Sequence, residues 1–375
     1  MRFIVATSVL SKGLQLVGGI ISSNPTMPIT ENFLFELKGK ELIITGCDLE
    51  TMIKTKIEVM VGEEQEDGKI CIGAKILMEY IKSLSEQPVT FIINTKDLLI
   101  EVATNSGNYK ISGQNADEYP KEPELANENT IILPSLRLVE GINKTIFATS
   151  NDSLRPTMTG VYFELNESDL TMVTTDAHRL IRQMFLDITP STTGSFIVPK
   201  KPLQQLKNFL PNDDSAINLS YTDKHLFVRS GTTTLNCRLI EGKFPPYRAV
   251  IPTENPFLLT INRADLTSAL RRVSLFSDKS TTQVVFDIVG NTVTLSGQNE
   301  DFSYEGNEKL SCQFSGEDMK IAFNARLLIE MLNNMNSDDI KLELSVPSRA
   351  GIFRPAEVAD YEDVLMLLMP LNVGV

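Results

Sequence analysis

Asp176, His178 and Arg179 stand within four positions of one another in "TTDAHRL", Thr174–Leu180, and the chain has only two histidines. A carboxylate beside an imidazole is the beginning of general-base chemistry. Hydrolysis along that route also needs a nucleophile, an oxyanion hole and a group that orients the base. The sequence has no GxSxG, no HExxH and no Walker loop. Asp48 in "GCDLE" occupies the same point of an earlier repeat, without a histidine two residues on. A carboxylate that recurs without its imidazole partner is expected to fix a turn. The other histidine, His225 in "TDKHLFV", falls in a predicted hairpin and is expected to be exposed. No catalytic residues are therefore assigned. Cys47, Cys71, Cys237 and Cys312 are scattered and form no CxxC pair, so neither a metal site nor a cofactor is expected. Buried reduced thiols in a cytoplasmic protein are the expected state.

The elements that carry these residues repeat. "RFIVATSVLSKGLQLVGGII", "NTIILPSLRLVEGINKTIFA" and "PFLLTINRADLTSALRRVSLF" each read as a short strand, a Ser or Asn near a helix start, and an amphipathic helix. Their period is roughly 128 residues. Hairpin-like pairs follow each, with turn chemistry from Gly39, Asn166 and Gly290-Asn291. The plan recurs in "GKICIGAKILMEYIKSL", "GSFIVPKKPLQQLKNFL" and "DMKIAFNARLLIEMLNNM". The expected fold is α+β: three repeated domains, each of two strand–helix–strands units, with two helices on one side of antiparallel sheet. Acidic and Pro-containing joints place the domains at 1–122, 128–250 and 254–375.

The net charge is −13, from 35 basic and 48 acidic residues, which alone disfavours nucleic acid. The predicted helices run the other way. They carry Lys12, Lys75, Lys82, Arg137, Lys144, Lys200, Lys201, Lys207, Arg263, Arg271, Arg272 and Arg326 against only Glu79, Glu140, Asp265 and Glu330. Basic helices and acidic sheets suit a weak, salt-sensitive and non-specific contact with a phosphate backbone. A closed ring would retain such a binder by topology. No apolar run is long enough for a membrane span. Lys12 and Gln15 interrupt the apolar start, and no cleavage pattern follows it, so export and membrane association are not expected.

Several stretches, in order and spacing, resemble the bacterial sliding clamp family, the beta subunit of DNA polymerase III. They are "PTMPI" (25–29), "GCDLE" (46–50), "LRPTMTGVYFE" (154–164), "TTDAHRL", "FIVPKK" (196–201), "GKFPPYRAVIP" (242–252) and "LMPLNV" (368–373). The resemblance spans essentially the whole chain. It implies a processivity factor: a head-to-tail homodimer whose helices line a hole around duplex DNA and whose sheets run around the outside. It implies a hydrophobic cleft between domains 2 and 3 that receives linear peptides carrying Leu or Phe. Carried over by position, one wall is Met158, Thr175, Ala177, His178, Arg179 and Leu180, with His178 and Arg179 as polar rim contacts. The other wall is Pro245, Val250, Leu367, Met369, Pro370 and Leu371. Lys75 and Lys201 match DNA-facing positions, and Arg137, Lys144, Lys200, Arg271 and Arg272 are placed beside them by helix position. The dimer contact would join Tyr109 and Ile111 to Leu275 and Phe276 of a second copy.

The implied partners are the replicative polymerase's catalytic subunit, a clamp loader, and other repair and replication proteins with clamp-binding peptides. The sequence departs from the family at Ala177 (a glycine in relatives), Asn24, Ala249, Asn372 and the added Gly374-Val375. A peptide-binding scaffold that does not encircle DNA is the alternative reading.

Overall fold

The computed structural model describes residues 1–62, 66–125 and 129–372; Val373 of the "LMPLNV" tail and the Gly374-Val375 extension lie outside them. The helices are α1 (Thr7–Gly18), α2 (Ala74–Ser83), α3 (Ser135–Thr145), α4 (Lys200–Phe209), α5 (Arg263–Val273) and α6 (Ala325–Asn333). Each follows directly on a strand, as the repeated pattern predicts. The hairpin turns are also where glycine is required: Gly39 and Gly290 both sit at φ +54° with open space beside them. None of the described helices is long and apolar enough to cross a membrane.

The helix starts are less uniform than the sequence suggests. Asn262 and Asn324 cap α5 and α6 through their side chains, accepting from Asp265 N and Leu327 N respectively. Ala6 and Gly73 precede α1 and α2 with no side-chain cap. At α1 the first turn is served from a distance instead: Ser8 N and Oγ each donate to the Glu86 carboxylate at 3.0 Å. Ser135, the first residue of α3, donates its hydroxyl to Pro211 O.

Contacts divide the chain into two compact units, residues 1–139 with 201–239, and residues 140–200 with 240–375. In the first unit, an eight-stranded antiparallel sheet runs from the first repeat into the second. The joint is the pairing of Thr51–Thr55 with Thr233–Cys237. In the second unit, a nine-stranded sheet is joined through Arg179–Phe185 and Glu362–Leu368. Each unit also has a separate four-stranded sheet. Alternating strand residues point into cores such as that of Phe286, Phe323, Phe353 and Leu266 in the second unit. So the repeats of each unit are held by main-chain ladder as well as side-chain burial.

Candidate functional site

In the first repeat, Asp48 Oδ1 accepts from the main-chain N–H groups of Glu50 and Thr51, at 3.2 and 2.8 Å. In the second, Asp176 Oδ1 accepts from His178 and Arg179, both at 3.0 Å. The residue between takes a left-handed conformation in both, Leu49 at φ 77° and Ala177 at φ 76°. The side chain before the aspartate accepts that residue's N–H in both, as Cys47 Sγ or Thr175 Oγ1. The next strand then docks identically, with Arg238 N on Glu50 O and Met369 N on His178 O, each at 2.8 Å. Asp176 is thus a turn-forming carboxylate. At this φ an L side chain is strained, so Ala177 changes the backbone energetics more than it fills the slot.

The cleft residues gather at the end of the second unit's sheet joint. Leu180 pairs directly with Leu367. Both are 2% exposed and share a core cluster with Phe244, Tyr247 and Ile352. They are floor rather than contact surface. Met158, 6% exposed, ends the short 3-10 helix Pro156–Met158, and its carbonyl accepts from Ser150 N. The opposite loop reaches that helix through Gly242, at φ +123°, where a Cβ would lie 2.8 Å from Thr157 Cγ2. Glu164 anchors the loop: Tyr247 Oη donates to it at 2.7 Å, and both terminal nitrogens of Arg248 donate to its two oxygens. Burial, and then the donated bond to Glu164, push the Tyr247 hydroxyl pKa up.

Exposed around this frame are Val250 (55%), Met369 (44%), Ala177 and His178. Thr175 is buried, while Pro245, Pro370 and Leu371 are half-buried. Leu371 N donates to Ala322 O, which ties the tail to the neighbouring sheet. Leu154, 89% exposed just before Pro156, is an apolar surface residue that the sequence reading did not select. Only its place at the head of "LRPTMTGVYFE" pointed to it.

Two predicted residues are corrected. Arg179 is not a rim contact. Its side chain is 5% exposed, and its nitrogens donate to Asp176 Oδ2, Glu330 Oε2 and Phe147 O at 2.8–3.0 Å. Its guanidinium also lies 5.1 Å from the Phe147 ring centroid. Lys144 is not a free basic group. It pairs with Glu362, both side chains nearly buried at 13% and 10% exposure, and Gln183 also donates to that carboxylate.

The remaining basic positions differ in how free they are. Lys75 and Arg271 are exposed, Arg137 and Lys200 half-buried. Arg272 is exposed and paired with Glu308. Lys201 Nζ donates to Asp48 Oδ2 and to Ile20 O, with half its side chain accessible. At the proposed dimer positions, Tyr109 is 44% exposed on the sheet-edge strand Asn108–Ser112, which also carries Ile111. Leu275 and Phe276 are 76% and 41% exposed. His225 is half-buried rather than exposed, against Phe227.

The first unit does not repeat the Leu180–Leu367 pair. Where Leu367 faces Leu180, Asn236 faces Met52, and Asn236 donates to Glu122, which also pairs with Lys54. One turn plan thus stands beside a packed leucine pair in one unit and a polar Asn236–Glu122 contact in the other.

Strand–helix repeats joined in pairs by continuous antiparallel sheet define the class of fold. Family models of the DNA polymerase III beta subunit match throughout: its N-terminal domain over residues 1–123, central domain over 132–246 and C-terminal domain over 248–369. The beta sliding clamp of Synechocystis sp. is 29% identical, over 95% of this chain and 96% of that one. The clamp of Pseudomonas putida is 26% identical over 98% and 99%. Among solved structures, a DNA polymerase sliding clamp from Pseudomonas aeruginosa superposes with a TM-score of 0.94 at 24% identity, covering both chains fully. The beta subunit from Thermotoga maritima does so with 0.89 at 23%, again covering both fully. The chain belongs to the DNA polymerase III beta subunit family, the bacterial sliding clamps. It is a non-catalytic processivity factor of DNA replication.

Proposed function

We propose that this clamp is a cytoplasmic, head-to-tail homodimer that closes around duplex DNA and recruits its partners through one peptide cleft per chain. The domains are those of the sequence reading, 1–122, 128–250 and 254–375, with the cleft belonging to the second and third. The observation that supports the cleft is that Val250 and Met369 are exposed apolar residues on the segments that carry Tyr247 and Leu367 into one packed cluster with Leu180. Such a slot accepts Leu or Phe anchors, and Met adapts to varied partners. A peptide with one or two anchors binds near micromolar, about −8 kcal/mol, which suits exchange among a polymerase subunit, a clamp loader and repair proteins. A Pseudomonas aeruginosa clamp has been solved bound to griselimycin, which makes that compound a ligand to test on this chain as well.

The DNA-facing set is narrowed to Lys75, Arg137, Lys200, Lys201, Arg271 and Arg272, with Lys144 removed. The dimer contact pairs Tyr109 and Ile111 of one copy with Leu275 and Phe276 of the other, an interface that closes by symmetry. Two measurements test these readings. The solution mass must be near twice 41.7 kDa. The protein must also stay on nicked circular DNA at moderate salt and leave once the circle is linearised. A strict monomer at micromolar concentration, or equal loss from circles and lines, refutes the ring. A protein that binds the peptide yet fails both tests is a scaffold that never encircles DNA.

A further inference from the structure

We infer that Arg179 is a positioning residue: it holds the strained turn at Ala177 shut against α6, and so keeps the lip of the peptide cleft formed without touching the peptide. The inference rests on the cleft reading above. Three observations carry it. The side chain is only 5% exposed, and Nε, Nη1 and Nη2 each donate a hydrogen bond within the chain, so the guanidinium is turned inward rather than toward a ligand. Its partners lie on three different segments: Asp176 in the turn, Phe147 beyond α3 and Glu330 on α6. The turn it closes contains a non-glycine residue at φ 76°. Left alone, such a turn opens part of the time, because an L residue in that region is disfavoured by about 1–2 kcal/mol.

The first unit supplies the comparison. The same turn, with Leu49 at φ 77°, has Thr51 where Arg179 stands. There the free oxygen of the turn aspartate, Asp48 Oδ2, is held by Lys201 of α4. In both units the second carboxylate oxygen is thus taken by a cation and the turn is tied to a helix, directly through Lys201 or through the relay Asp176–Arg179–Glu330. The relay matters for binding because the turn delivers two exposed cleft residues, Ala177 and His178, and His178 O is the acceptor that fixes Met369 N. When the turn opens, the Met369 side of the slot loses its anchor. Apparent affinity then falls in proportion to the closed fraction.

The test is a double-mutant cycle with a fluorescent peptide bearing a Leu-Phe anchor pair as probe, read with the full-length dimer. Arg179→Met is expected to weaken binding about tenfold. Ala177→Gly alone is the reference corner of the cycle, so that whatever the lost methyl does to binding by itself is subtracted from the rescue. In the Arg179→Met background, Ala177→Gly is expected to restore about fivefold, because glycine removes the left-handed penalty. A peptide contact or a general packing role would show no such rescue. If Arg179→Met does not fold, Glu330→Gln serves: it cuts the relay at its half-exposed end, and its smaller loss must also be recovered by Ala177→Gly. Wild-type affinity in Arg179→Met, or loss without rescue by glycine, overturns the inference while a Met369→Ala loss upholds the cleft. Failure of the wild-type protein to bind the probe overturns both.

Discussion

Lys144 and Lys75 look alike in the sequence, each a lysine on a basic helix, yet the structure assigns them opposite behaviour. Replacing Lys144 by Met leaves Glu362, only 10% exposed, without its cation. Removing one partner of a buried pair costs about 3–5 kcal/mol. Gln183 Nε2 remains on the carboxylate at 2.9 Å, which places the expected loss at the low end, about 3 kcal/mol. For a unit of this size that lowers the melting temperature by about 6–12 °C. The double variant Lys144→Met, Glu362→Met should recover most of the loss, because apolar replacement of both partners is close to neutral. The slope of DNA affinity against salt should be unchanged in Lys144→Met. In Lys75→Ala it should fall by about one, as for any lysine that neutralises a phosphate. Calorimetry and a salt titration on nicked circles measure both quantities. An unaltered melting temperature with a reduced salt slope would falsify the ion-pair argument and return Lys144 to the DNA-facing set.

Met369→Ala should weaken the Leu-Phe peptide at least tenfold and leave the solution mass unchanged, whereas Leu180→Ala, from a side chain 2% exposed, should also cost about 2–5 kcal/mol of stability; equal melting temperatures for the two variants would contradict the assignment of Leu180 to the floor. Leu49→Gly and Ala177→Gly should each stabilise the chain by about 0.5–1 kcal/mol in denaturant titrations, since relief of a positive φ, about 1–2 kcal/mol, outweighs the unfolded-state entropy that glycine adds; destabilisation of both would refute the shared-turn reading. Burial, followed by repulsion from Arg238 and Lys224, lowers the pKa of His225 from its ordinary value. The folded imidazole is harder to protonate than the unfolded one, so its contribution is present near neutrality and is lost as pH falls through and below the usual value of about 6.5. A His225→Gln variant should lack that part of the acid sensitivity in melts between pH 7 and 5.

Much of this architecture was legible because it rests on local periodicity. Strand followed by helix, glycine at hairpin turns and the Asp48–Asp176 correspondence all follow from residue order. Arg179 was misread because an arginine in a polar loop is exposed by default. Its three acceptors come from Asp176, Phe147 and Glu330, and the last is 151 residues away. Lys144 was misread for the same reason, since Glu362 is 218 residues distant. The left-handed turn at Ala177 left no local mark, because the glycine that would signal it is missing. The division into two compact units was not visible either. The strands that join Thr51 to Cys237 and Arg179 to Leu368 carry no signal that they pair with one another.

Those two joints also decide where the protein can yield. Arg179–Phe185 pairs residue for residue with Glu362–Leu368, so a pull along the strands meets a row of hydrogen bonds that must fail together. The five-residue edge strand Asn108–Ser112 has a partner on one side only, and in the proposed ring its other side meets a separate copy. Force applied to such a ring should therefore concentrate at the two non-covalent seams between copies. Within each unit the joint would hold while a seam between copies parts, and a loader would need to break only one short seam to admit DNA.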